Sequence, residues 1–321
     1  MVLKVRMLLL SVLITAGLLF VGCNTAANDE SGKNIVVTIF PLYDWTMVIL
    51  GSNPGNITVS YLFESGVDLH NYTPSFRDVA LISTTDLFLW VGGKSDAWVL
   101  NAMANPQNQD RRNVPVMRLL SLDETQTFPV EGVIAGDAID DCCGGETHDE
   151  HVWLSLPFAV RFVERIRDEI ILLDPGNEEY YNANAEAYIK QLEELHQQFK
   201  EVVGLAERNT ILVIDRFPFL YMTLDYGLGF RSAFDGCFAA TEISMQRQAE
   251  LANAVNYLNV NTILIIDNHP VANAVAYAAN RELAIVELED FQSVSRHHIG
   301  RGLTYIYGMR QNLEALRAAL N

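Results

Sequence analysis

Two histidines in polar turns are the residues of this 321-residue chain best suited to chemistry. His70 lies in Val67-Asp68-Leu69-His70-Asn71-Tyr72 and His151 in Asp149-Glu150-His151-Val152-Trp153. A neutral imidazole is the commonest protein metal ligand. Zinc takes four ligands, commonly nitrogen and oxygen from His and Asp/Glu, while a larger share of carboxylates tilts a site toward manganese. The chemistry these residues support is metal capture completed by acids. The blander reading, two ordinary core or surface histidines, is left open by their spacing alone.

The remaining candidates are weaker. Cys142, Cys143 and Cys237 show no CxxC spacing, so a disulfide of Cys142 or Cys143 with Cys237, or a free thiol, is favoured over metal ligation. His196 falls inside a long helical pattern, His269 precedes Pro270, and His297 and His298 read as surface residues at a helix start. Glu146, His148, Asp149 and Glu150 form an acidic loop. The chain has no His-Glu-x-x-His and no Gly-x-Ser-x-Gly elbow, which argues against a secreted zinc hydrolase.

The elements that must position the two histidines alternate between strand and helix. Ile35–Phe40, Asn56–Phe63, Leu87–Val91 and Val114–Leu119 read as strands, with helices over Pro41–Leu50, Phe76–Ile82 and Ala97–Ala104. Two amphipathic stretches follow, Pro157–Leu173 and Asn177 to about Leu205, the second long enough for a rigid strut. Alternation then resumes, with strands at Ile211–Ile214, Phe230–Phe234, Ile263–Ile266 and Ile285–Leu288. The expected fold is α/β: two lobes with mainly parallel sheets joined by a long rigid helix. The domains run 34–155 for the N-terminal lobe, 156–206 for the connecting helices and 207–321 for the C-terminal lobe. Ligands of open α/β sheets bind at the carboxyl ends of strands. His70, His151, Glu242, Glu289 and Asp290 all follow strands or meet the connector, so they are positions that one cleft can gather.

The N-terminus reads as a targeting segment. Lys4 and Arg6 precede an uncharged apolar run from Met7 to Gly22, giving a signal peptide over residues 1–22. Gly22-Cys23 resembles a lipobox, in which Cys23 carries lipid and residues 23–33 form a polar tether. Removing residues 1–22, with two basic side chains and no acid, takes the formal net charge from −18 to −20. Such a surface disfavours nucleic acid and anionic headgroups.

Four stretches, in order, resemble the metal-binding solute receptors of ABC transporters, the zinc/manganese group related to ZnuA. They are Gly66–Ser75, Asp86–Gly93 followed by Trp98, Asp149–Ser155, and Gly302-Leu303-Thr304-Tyr305 with Met309 and Asn312-Leu313. The resemblance implies the metal-receptor type of solute-binding fold. It implies a monomeric, lipid-anchored extracytoplasmic protein that takes zinc, or alternatively manganese or iron, as transported ligand and delivers it to a membrane permease. A surface adhesin of the same fold, or a member that has lost metal binding, is the alternative. The implied metal ligands are His70, His151, Glu242 and Glu289, with Asp215 and Asp290 also available. One departure stands out: where many members carry a third histidine, Arg216 stands within Asp215-Arg216-Phe217-Pro218-Phe219, and arginine cannot ligate.

Overall fold

Each β-branched run becomes a short buried strand, and each amphipathic run a helix laid against it. The computed structural model describes residues 32–52, 55–64, 67–126, 148–234, 244–267, 269–292 and 294–321. The signal segment, Cys23, Glu146, Cys142, Cys143, Cys237 and Glu242 lie outside the described residues.

The first sheet contains β1 (Lys33–Val37), β2 (Ile57–Tyr61), β3 (Leu87–Trp90) and β4 (Arg112–Pro115), all parallel in the order β2-β1-β3-β4. The second contains β5 (Thr210–Val213), β6 (Gly229–Ser232), β7 (Thr262–Ile265) and β8 (Ala284–Glu287), all parallel in the corresponding order β6-β5-β7-β8. Each sheet therefore has a point where the chain reverses its direction of winding, at β1/β3 and at β5/β7. Such points open a crevice at the strands' carboxyl ends.

Helices of the first half are α1 (Phe40–Leu50), α2 (Phe76–Thr84) and α3 (Ala97–Ala102). The connection is α4 (Leu156–Leu173) and the 27-residue α5 (Glu178–Gly204), which at 1.5 Å per residue is about 40 Å long. The second half adds α6 (Leu220–Tyr226), α7 (Met245–Leu258), α8 (His269–Ala279), α9 (Arg296–Gly300) and α10 (Tyr305–Leu320). Local chemistry sets their ends. Ser75 and Asp78 form a reciprocal capping box on α2, Ser155 caps α4, and Thr304 caps α10.

The expected strand Val114–Leu119 is only partly a strand. Pro115 has no N–H for the ladder of this edge strand, and Val116–Leu119 winds into a 3-10 turn instead.

A single hydrophobic core joins α1, α4, α5 and α10 to both sheets, while a second lies between the second sheet and α7 and α8. α5 packs along α4, α1 and α10. Buried Asp44 of α1 stitches three helices together, accepting from Tyr305 N at 3.1 Å and Tyr188 Oη at 3.3 Å. Residues Lys33–Asn321 form one compact unit containing both sheets. No described helix is long and apolar enough to cross a membrane.

Candidate metal centre

The two histidines are brought together: their ring centroids are 5.5 Å apart. Local turns do most of the positioning. His70 sits in the 3-10 turn Leu69–Asn71, and Asp68 accepts its backbone N–H at 3.0 Å. His151 precedes the 3-10 turn Val152–Leu154, and Asp149 accepts its backbone N–H at 2.8 Å. Both are Asx-type turns, in which a short acid fixes the backbone two residues on. The signal was in the sequence as a repeated Asp-x-His.

The rings differ in what holds them. His70 Nδ1 meets Ser95 Oγ at 2.7 Å, and Ser95 N donates to Glu150 Oε1 at 2.8 Å. That contact needs Gly93, where a Cβ would sit 2.3 Å from Glu150 Cγ. His151 Nδ1 meets Asp149 Oδ1 at 3.2 Å, in a ring 1% exposed that lies 5.1 Å from the Trp153 ring. A carboxylate on Nδ1 orients an imidazole and makes its other nitrogen a better ligand. That nitrogen, His151 Nε2, is buried with no hydrogen-bond partner.

Their protonation diverges accordingly. Burial, and then the neighbouring His151, push His70 down to about 4 despite the acids Asp68 and Asp149. Burial also opposes charge on His151, but Asp149, Glu150 and Asp290 outweigh it and hold the ring above the usual histidine range. Two adjacent imidazoles cannot both carry a proton cheaply, and here the proton belongs to His151.

The second sheet contributes from the carboxyl ends of β5, β7 and β8. Asp215 is fully buried, and its carboxylate receives the backbone N–H groups of Arg216, Ile266 and Asp267 at 2.8, 3.0 and 3.0 Å. It ties β5 to β7. Arg216 reaches Asp290 Oδ2 at 2.9 Å and Asp267 Oδ2 at 3.6 Å. Asp290 acts electrostatically on His151, and its backbone carbonyl accepts Trp153 Nε1 at 2.7 Å.

Glu289, the neighbour of Asp290, faces other company. Its backbone is clamped by Asn312, with Glu289 N to Asn312 Oδ1 at 2.7 Å and Asn312 Nδ2 to Glu289 O at 2.9 Å. It lines a groove of about 610 Å³ with Val286, Glu287, Tyr307 and Arg310. Burial, then Asp290 and Glu287, raise its carboxyl to about 7. Of the two consecutive acids, both available in the sequence reading, Asp290 is the one that acts electrostatically on His151. Glu242 lies outside the described residues. Among the described residues, no group of three or more His, Cys, Asp or Glu is gathered at metal-holding distances.

Three further contacts bind the loop after β8 to the first half. Gln292 Nε2 donates to Asp68 Oδ1 at 2.9 Å, Val294 N to Tyr61 Oη at 3.1 Å, and Arg296 pairs with Glu64. Within that loop Phe291 adopts φ +55°, costly for a residue with a Cβ. Its ring is buried 5.1 Å from Tyr305 and 6.3 Å from Phe40, over Gly308, where a Cβ would come within 2.4 Å of the Phe291 ring. Packing of the Phe291 ring thus holds the positive-φ turn that directly follows Asp290.

Comparison with known proteins agrees with this architecture. A family model for the zinc-uptake complex component A, periplasmic (ZnuA), matches residues 35–319. The zinc-binding lipoprotein AdcA of Streptococcus pneumoniae (strain ATCC BAA-255 / R6) is 29% identical over 318 residues, covering 98% of this chain but 60% of AdcA. The high-affinity zinc uptake system protein ZnuA of Bacillus subtilis is 27% identical over 319 residues and 97% of each chain. Among solved structures, the Zn(II)-bound ZnuA-like domain of S. pneumoniae AdcA superposes with a TM-score of 0.73 at 26% identity, covering 90% of this chain and 99% of that one. A laminin-binding adhesin, Lmb of Streptococcus agalactiae, gives 0.73 at 25% identity, covering 90% of this chain and all of that one. With the motifs, the paired sheets and the long connecting helix in agreement, this chain belongs to the ZnuA family.

Proposed function

We propose that the chain is an extracytoplasmic receptor that captures a divalent transition metal between its two halves and delivers it to an ABC permease. Zinc is the first choice, because two imidazoles form the fixed half of the site. Manganese and iron are the alternatives if carboxylates complete it. The proposed ligands are His70, His151 and Asp290, with Glu242 as the fourth; Asp290 takes the role the sequence reading gave Glu289. Lipid on Cys23 would anchor the protein, with residues 23–33 as tether and the lobes bounded at 34–155 and 207–321.

The observation that carries the reading is the imidazole pair 5.5 Å apart, one ring held through Nδ1 by a buried carboxylate. Its neighbours supply support: AdcA and ZnuA are named as zinc proteins. A chelator-competition titration of the metal-stripped protein with zinc, manganese and ferrous iron tests it. One zinc bound per chain, tighter than the other two metals, is the expected result; no binding of any of the three would refute it.

The fold also occurs in a laminin-binding adhesin. The closely set histidine pair favours metal capture.

A further inference from the structure

Arg216 is a cation just after β5, and its charge acts on His70. Its guanidinium holds Asp290 at 2.9 Å, and a second carboxylate, Asp267, lies 3.6 Å away. The Asp290 side chain is 12% exposed, whereas that of Asp267 is 70% exposed. Arg216 is thus placed between a buried acid whose charge acts on His151 and an exposed acid. Removing one partner of a buried ion pair leaves an uncompensated charge and is costly, while an exposed pair contributes little.

We infer that Arg216 is a displaceable internal cation: it neutralises Asp290 while no metal is bound, yields that carboxylate to the arriving metal and retreats to Asp267. The inference rests on the metal-receptor reading above and adds a regulatory residue to it. Its logic is charge conservation at the site. A buried carboxylate without a counter-ion is costly. Either the guanidinium or the metal can satisfy Asp290, and each excludes the other from the same oxygen. The exchange involves no covalent step. It makes affinity a balance: the metal must overcome a hydrogen bond to a charged group before Asp290 becomes available. Arg216 therefore sets the threshold of capture rather than taking part in coordination. Gln292, two residues along, bonds Asp68 in the His70 turn, so release of Asp290 is also felt by the loop that joins the two halves.

The test is a four-member cycle of wild type, Arg216→Gln, Asp290→Asn and the double variant, with zinc affinity read by chelator competition. Arg216→Gln is expected to bind zinc about tenfold or more tighter than wild type, the scale of one hydrogen bond to a charged group. Asp290→Asn is expected to bind more weakly, and adding Arg216→Gln to it should change nothing further. Unchanged or weaker binding by Arg216→Gln, with zinc still bound by wild type, overturns the inference alone. So does an equal gain in both backgrounds, which would mean a general charge effect. No zinc binding by any of the four overturns the metal-receptor reading as well. A urea midpoint measured on each variant and compared with wild type separates misfolding from a change in affinity. The Arg216 guanidinium NMR resonances should shift on zinc saturation toward their position in metal-free Asp290→Asn, and resonances indifferent to zinc would contradict the exchange.

Discussion

The two sheets share one strand order but bring different kinds of group to the crevice. The first supplies imidazoles fixed by turns only a few residues long, Asp68 to His70 and Asp149 to His151. The second supplies a carboxylate, Asp290, whose position depends on Arg216, Trp153, Phe40 and Tyr305, all distant in sequence. The first half is preset and the second adjustable. A receptor that must both hold and release its cargo gains from that division: one fixed half for selectivity, one half whose commitment can change.

The largest effect should come from breaking the preset half. His151→Ala and His70→Ala are each expected to weaken zinc binding by about a hundredfold or more, since loss of a ligand exceeds loss of an orienting partner. Chelator competition measures this, and an unchanged affinity in either variant would show that the ring is not a ligand.

A pH titration separates the two rings. His151 is held above its ordinary range, so zinc must displace its proton, and affinity should rise about tenfold per pH unit up to the His151 pKa. His70, near 4, adds no slope above about pH 5. Calorimetry in buffers of different ionisation enthalpy should count about one proton released per zinc at mildly acidic pH. Stability follows opposite signs. The favourable proton on His151 supports the fold at pH values below 6.5 and is lost as pH rises through its folded pKa. The neutral, partly buried His70 supports the fold above 6.5, and that support is lost as pH falls toward 4.

The adjustable half can be broken without touching an acid. Gly308→Ala places a Cβ against the Phe291 ring, and overpacking of this kind costs about 1–3 kcal/mol, readable as a lower urea midpoint. Zinc affinity should fall with it, because Phe291 sets the turn that presents Asp290. Affinity unchanged in a destabilised variant would uncouple the two.

The sharpest contrast is the smallest effect. Glu289→Gln should alter zinc affinity less than about twofold, a change worth under 0.5 kcal/mol. A loss comparable to that of Asp290→Asn would reverse the assignment of the two acids.

These contrasts mark what the sequence could express. The histidine turns, the strand alternation and the 27-residue helix were legible, because each depends on residues within a few positions of one another. The choice between Glu289 and Asp290 was not. The two acids differ in their tertiary neighbours, Asn312 and the groove for Glu289, Arg216 and Trp153 for Asp290, and such long-range packing is not written in a local pattern. Arg216 was visible as a missing ligand, but its partner was not, since Asp290 is brought beside it only by the parallel sheet. Likewise Ser95 carried no signal as the partner of His70 until β3 and the β2–α2 turn were placed together.

The central claim, that His70 and His151 hold the metal, is tested most directly by X-ray absorption at the zinc edge on the loaded wild-type protein. Two imidazole nitrogens at about 2.0–2.1 Å, with oxygen in the remaining positions, is the predicted shell. A shell without imidazole, or one identical in the His70→Ala/His151→Ala double variant, would contradict the account.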